Sequence, residues 1–157
     1  MKKFALLLNL LLFATIFVAN AQEDKSKRPS PPAIAKETIN SGAAISINYG
    51  QPSVKGRTIG KDVEPMPGKV WRAGANEATV FETDKDVMIE GKSLPAGKYA
   101  FMTIDNGSNW TLIFNKTSNQ WGAYDYKEAD DALRVTVKPA KAKSFGEKLT
   151  YTVDKSG

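Results

Sequence analysis

The sequence predicts an antiparallel β-sandwich over residues 43–153, and a jelly roll is one topology that would fit. Three observations lead to this fold class. Apolar and polar residues alternate with period two in several segments, turn-forming residues separate these segments at short intervals, and no stretch carries the pattern of a helix of three turns. A strand of this kind buries every second side chain, so the pattern is typical of sheets with one face in water.

The first predicted strand covers residues 43–49, where Ile45, Ile47 and Tyr49 share one face. A short apolar strand at 87–89 follows later and leads to a turn at 94–97. Proline presets φ at the second position of this turn, and glycine fits the fourth.

The apolar segments 99–104 and 110–114 flank a loop rich in Asn and Gly, so we expect them to pair as a central hairpin. Two alternating segments at 133–138 and 149–153 predict the last strands. Residues 127–132 are the best helical candidate, and they are long enough for a single turn only.

Residues 1–21 have the organisation of a removable signal peptide. Two lysines precede an apolar run at 4–18, and a processing site of the A-x-A type ends at Ala21. We expect cleavage after Ala21, a periplasmic or secreted location, and no membrane span in the mature chain. Removing 21 of 157 residues leaves 136, enough for one domain. Residues 22–42 are polar, charged and proline-containing, which predicts a flexible tether.

Composition argues against several classes of site. The chain has no cysteine and no histidine, the usual ligands of zinc and copper, and it forms no disulfide. Its net charge is +5, and loss of the two signal-peptide lysines leaves +3, without a clustered basic face, so we do not expect nucleic acid as a partner. The acidic run at 125–131 offers oxygen ligands for Ca²⁺ but lacks the spacing of an EF-hand loop. We predict no metal site and no cofactor.

Two polar blocks stand out, YGQPSVKGR at 49–57 and WRAGANEAT at 71–79. Shorter stretches accompany them at 94–99, 114–115, 120–122 and 133–135. Together these motifs resemble the domain-of-unknown-function 2911 family of exported Bacteroidetes-type proteins, over nearly the whole mature chain. The resemblance implies an all-β envelope protein and supplies no activity.

The two blocks carry the candidate ligand site. On an extended segment Lys55 and Arg57 would point the same way, and with Arg72 they form three cations that repel unless a negative group offsets them. We expect these cations to converge on one concavity that binds a small anionic or carbohydrate-like ligand. The candidate residues, which include two polar groups at the rim and two aromatic walls, are Lys55, Arg57, Trp71, Arg72, Asn76, Glu77 and Trp121.

A structural interpretation of the same residues stays open. Arg72 and Glu77 would then be buried and paired with each other, and Trp71 would belong to the core of a structural or interaction module of the envelope. Trp121 and Tyr124 belong to a group of aromatic residues that a sugar ring could stack on, although such residues more often lie in a core.

A third interpretation is a hydrolase that works without histidine. It would pair Glu77 with Asp125 or Glu128, as glycosidases pair carboxylates, or activate Ser53 with Lys55. The sequence shows neither geometry, so it names no catalytic residue, and we favour a binding protein over an enzyme. The oligomeric state is not predicted.

Overall fold

The computed structural model describes residues 23–156, and their regular structure is almost entirely β-strand. The strands are β1 (Pro32–Thr38), β2 (Ala44–Gly50), β3 (Val70–Trp71), β4 (Ala75–Thr83), β5 (Val87–Ile89), β6 (Lys92–Leu94), β7 (Gly97–Asp105), β8 (Trp110–Asn115) and β9 (Asp131–Val137). Two 3-10 turns, Lys25–Lys27 and Glu128–Asp130, complete the described elements. The second is the single turn predicted for 127–132. The predicted signal peptide and its cleavage site lie outside the described residues.

One large antiparallel sheet dominates the fold, with strand order β1-β2-β4-β7-β8-β9. The short strand β3 pairs with the end of β7, and β5 and β6 form a separate hairpin. The predicted central hairpin is confirmed, because β7 pairs with β8 along six residue pairs in the interior of the sheet. Within residues 23–156, no helix is long and apolar enough to cross a membrane.

Both faces of the large sheet are packed. On one face Phe81, Tyr99 and Phe114 pack against Val87 and Leu94 of the β5–β6 hairpin. The other face buries a smaller cluster of apolar residues, covered by side chains of the 120–126 segment; its buried members are Ala78, Ala100, Met102 and Ile113. The predicted class, an antiparallel β-sandwich, is therefore confirmed as a sandwich-like packing of sheets.

The prediction of a flexible tether at 22–42 is wrong for its second half. Strand β1 lies there and pairs with β2 along all seven of its residues. Prolines ahead of the strand misled the prediction. Pro32 is the first residue of an edge strand, a position where the missing N–H removes no ladder hydrogen bond.

The prediction of a strand at 149–153 is also wrong. This segment has no ladder partner, and Leu149 N instead donates to Pro52 O at 3.0 Å. Its alternation has another cause. Tyr151 packs edge-on against Tyr49, with ring centroids 4.8 Å apart. Val153 packs against the core cluster that contains Phe81 and Phe114. Alternating burial thus arises from packing across the sheet rather than from pairing within it.

Candidate functional site

Strands β3 and β4 both pair with β7, but the chain between them bulges away from β7. Trp71 pairs with Thr103 and Thr79 pairs with Phe101, so the chain takes eight steps from Trp71 to Thr79 while β7 takes two. We call residues 72–78, which include the first four residues of β4, the excursion loop. Ala73 and Asn76 have positive φ values of 52° and 65°. Side chains along 71–79 therefore do not alternate strictly between two faces, because a left-handed residue turns the following side chains to new directions.

Side-chain hydrogen bonds to backbone oxygens hold the excursion loop in place. Thr79 Oγ1 donates to Ala73 O at 2.9 Å, and Tyr151 Oη donates to the same oxygen at 2.6 Å. The indole N–H of Trp71 donates to Gly74 O at 3.1 Å. Burial raises the pKa of Tyr151, so its hydroxyl remains a donor. Trp71 is buried core, as the structural interpretation expected, and does not line an open site.

Glu77 is the most strongly paired residue of the loop. Its carboxylate accepts hydrogen bonds from Lys25 Nζ at 2.7 Å and from Arg28 Nη1 at 2.8 and 3.1 Å. Burial alone would raise the pKa of Glu77, but the hydrogen bonds from Lys25 and Arg28 outweigh burial and lower the pKa from 4.5 to about 2. Glu77 also forms a backbone bridge with Trp121, and the Arg28 guanidinium carbon lies 5.8 Å from the indole ring centroid.

This pairing predicts a loss of stability in acid. A carboxyl whose folded pKa lies below its unfolded value stabilises the protein above pH 4.5, and the contribution disappears as the pH falls towards 2. Because 42% of the Glu77 side chain is exposed, screening reduces the effect to about 1 kcal/mol. Urea unfolding of wild type and Glu77→Gln should therefore differ by this amount at pH 6 and converge near pH 2. An equal difference at both pH values would contradict the role of this carboxylate.

Arg72 differs from the other arginines of the site. Its Nε atom is buried without a hydrogen-bond partner, and its side chain forms no ion pair with a described residue. A β-carbon placed on Gly122 would lie 3.0 Å from Arg72 Nη1 and 3.0 Å from Tyr124 Cε2. The guanidinium therefore borders the same glycine as the ring of Tyr124, a side chain that is 80% exposed. The expected pair of Arg72 with Glu77 does not form.

The convergence of Lys55, Arg57 and Arg72 stays a prediction, and two of the three cations lie in an exposed segment. The segment that carries Lys55 and Arg57 is a turn, since Lys55 has φ 49° and Arg57 N donates to Val54 O at 3.1 Å. The Arg57 guanidinium donates to the backbone oxygens of Val54 and Ser53 at 3.0 and 2.8 Å. Both cations are exposed and neither lines the cavity beside Glu77. Local backbone oxygens satisfy the Arg57 guanidinium, so it does not need an anion shared with Arg72.

A cavity of about 220 Å³ lies beside the excursion loop. Asn76 and Glu77 line it together with Lys25 and Arg28, whereas Lys55, Arg57 and Arg72 are not among its lining residues. Asn76 Nδ2 donates to Ser30 O at 2.9 Å, which ties the loop to the segment before β1. A larger cavity of about 550 Å³ lies at the far end of β1, β2 and β4, and it contains none of the predicted site residues.

Two of the three carboxylates proposed for catalysis are engaged with cations. Glu77 binds Lys25 and Arg28, and Glu128 lies 3.1 Å from Arg134. Among the described residues, no group of three or more acidic side chains is placed to hold a metal ion. Ser53 forms a backbone bridge with Lys148, and no hydrogen bond joins its hydroxyl to Lys55 within residues 23–156.

Sequence reasoning missed Lys25 and Arg28, the two cations that Glu77 binds. Both lie in the segment interpreted as a tether, where charged residues next to prolines are typical of disorder. One signal in the sequence could have found them. The Glu77 carboxylate needs a positively charged partner, and nothing in the sequence required that partner to be Lys55 or Arg57. Of the predicted site residues, the structure brings together Asn76, Glu77 and Trp121, places Arg72 beside Gly122, and leaves Lys55 and Arg57 in an exposed loop.

Comparison with known proteins agrees with the family resemblance. No curated protein and no solved structure matches the chain. A family model described as protein of unknown function (DUF2911) matches residues 30–157, which include β1, both polar blocks and the 120–126 segment. The chain therefore belongs to the DUF2911 family of proteins of unknown function.

Proposed function

We propose that the chain is an exported β-sandwich protein that binds a small anionic ligand, with an acidic sugar as the ligand class, and that Arg72 is the anion-binding residue. One observation carries this proposal: the Arg72 guanidinium has a buried Nε and no partner among the described residues. A buried donor without a hydrogen bond costs about 1–3 kcal/mol, so it needs a reason to persist. An arginine binds a carboxylate through two parallel hydrogen bonds, which suits an acidic ligand.

The charges around the loop leave Arg72 as the uncompensated cation. Arg28 pairs with Glu23 and Glu77, and Lys25 pairs with Glu77, so these cations already have carboxylates. An added anion would therefore gain most at Arg72, where no described carboxylate competes.

The aromatic residues next to Arg72 favour a sugar over a simple inorganic anion. Tyr124 borders the same glycine as the guanidinium, and Trp121 adjoins that glycine in sequence and is 53% exposed. Exposed aromatic faces next to a polar group are typical of carbohydrate-binding surfaces. An interaction module of the envelope is the second candidate, because Tyr124 and Trp121 would also suit a protein contact.

Thermal unfolding with added ligands tests the proposal. We expect glucuronate and galacturonate to raise the Tm of wild type, with a stabilisation of about 2.7 kcal/mol at a hundredfold excess over Kd, and glucose and galactose to have little effect. Arg72→Gln should fold, because the Arg72 side chain forms no hydrogen bond with a described residue, and it should no longer respond to the acidic sugars.

Arg57→Gln is the matched control, since Arg57 is also an arginine predicted for the site but donates to backbone oxygens of its own turn. This variant should keep the full response to acidic sugars. A wild-type Tm that ignores both uronates, or an equal response from Arg72→Gln, would overturn the proposal and favour the interaction module.

A further inference from the structure

The segment 23–29 forms all its hydrogen bonds and ion pairs with the rest of the described chain through one carboxylate. Among the described residues, every hydrogen bond and ion pair that leaves this segment ends on Glu77, from Lys25 and Arg28. The segment's other hydrogen bonds are internal, such as that from Arg28 to Glu23 at 2.6 Å. A short piece of chain is therefore held by one ionic group, as a bound peptide would be.

Arg28 is the more buried of the two cations that bind Glu77. Only 12% of its side chain is exposed, compared with 53% for Lys25. Its guanidinium bonds both oxygens of Glu77 through Nη1, and its Cζ lies 5.8 Å from the ring centroid of Trp121. A carboxylate and an aromatic face around one planar cation are the two groups that recognise a guanidinium best.

The two recognition groups are held by the fold and do not depend on the segment. Glu77 and Trp121 are bridge partners, and Gly122 N donates to Asn76 O at 3.1 Å beside them. Gln120 O accepts from Ala78 N at 3.0 Å on the other side. The Glu77 carboxylate and the Trp121 indole therefore belong to two hydrogen-bonded backbone segments, and this pairing fixes the distance between the two residues.

The cavity beside Glu77 gives room for more than a side chain. Lys25 and Arg28 form part of its wall, and Asn48, Ala78 and Val80 of the sheet line it from the other side. If the segment is displaced, this 220 Å³ cavity loses a wall and opens along the sheet.

We propose that Glu77 and Trp121 form a receptor for the guanidinium group of an arginine-bearing peptide, and that Arg28 of segment 23–29 occupies it within the same chain. Basic segments of other proteins then compete with residues 23–29 for one site. This inference uses Glu77, Trp121 and Arg28, so it does not depend on anion binding at Arg72.

The test uses the full chain with Glu77 and Trp121 made accessible by removing the cations that occupy them. The double variant Lys25→Ala/Arg28→Ala removes both cations that bind Glu77, and a synthetic peptide with the sequence of residues 23–30 is then titrated against it. The probe is the indole N–H signal of Trp121 in NMR spectra, assigned from its absence in Trp121→Phe. We expect a saturable shift of this signal in the double variant, and at least tenfold weaker binding in wild type, because Arg28 competes there.

Two controls separate recognition from nonspecific charge. A peptide with citrulline in place of arginine keeps the shape but has no charge, and Glu77→Gln added to the double variant removes the carboxylate. Each should weaken binding at least tenfold, while Arg72→Gln in the same background should leave it unchanged. Absence of saturation with the arginine peptide, or equal binding of the citrulline peptide, would overturn the proposal.

Discussion

Gly50→Ala is expected to cost about 3 kcal/mol of unfolding free energy, because a β-carbon at this position would overlap the carbonyl oxygen of Ala75 and lie 2.9 Å from its carbonyl carbon. Neither backbone can move aside easily. Gly50 is the last residue of β2 and pairs with Ala75 of the excursion loop, and the next residue, Gln51, donates its N–H to Pro31 O at 2.9 Å. Relieving the overlap would break hydrogen bonds on both strands.

Urea unfolding followed by circular dichroism measures this effect. Gly146→Ala is the matched control, because a β-carbon there meets only Lys148 O at 3.8 Å, an ordinary contact. The control should remain within about 0.5 kcal/mol of wild type. If Gly50→Ala were as stable as Gly146→Ala, the close approach of β2 to the excursion loop would be incorrect.

Asp131→Ala is expected to cost a similar amount, about 3 kcal/mol. The Asp131 side chain is only 6% exposed, and it accepts hydrogen bonds from Tyr126 Oη at 2.7 Å, Arg134 Nη1 at 3.1 Å and Asn115 Nδ2 at 2.8 Å. Asn115 is fully buried. Removing the carboxylate takes an acceptor from each of these donors, and the Tyr126 hydroxyl has no other acceptor among the described residues.

Asp125→Ala is the control for this prediction, since Asp125 belongs to the same acidic run but is exposed. It should change the unfolding free energy by less than about 0.5 kcal/mol. A second readout follows from Tyr126, because burial and the hydrogen bond to Asp131 raise its pKa. Spectrophotometric titration should show Tyr126 ionising at lower pH in Asp131→Ala than in wild type. Equal losses of stability in the two variants would show that the network does not stabilise the fold.

The local pattern of the sequence determined most of the sheet. Period-two alternation placed β2 and β9, and two apolar segments on either side of a loop rich in Asn and Gly placed the β7–β8 hairpin. These elements were predictable because each strand carries its own pattern of apolar residues. The family motifs were equally local, and the family match over residues 30–157 agrees with them.

Tertiary packing decided the features that alternation does not encode. Strand β1 follows a charged stretch with prolines, and its place in the sheet comes from pairing with β2. In contrast, 149–153 alternates without a ladder partner, because Tyr151 is buried by packing across the sheet.

The candidate site divides in the same way. The sequence pointed to the 71–79 block and to Asn76, Glu77 and Trp121 as candidate site residues, and the structure places Asn76 and Glu77 at a cavity and leaves Trp121 exposed. Only the tertiary structure showed that Glu77 binds Lys25 and Arg28, that Arg72 stays without a partner among the described residues, and that Lys55 lies elsewhere. The physical reason is that ion pairs form between residues about 50 positions apart in the chain, through side-chain directions that the left-handed residues of the excursion loop reset.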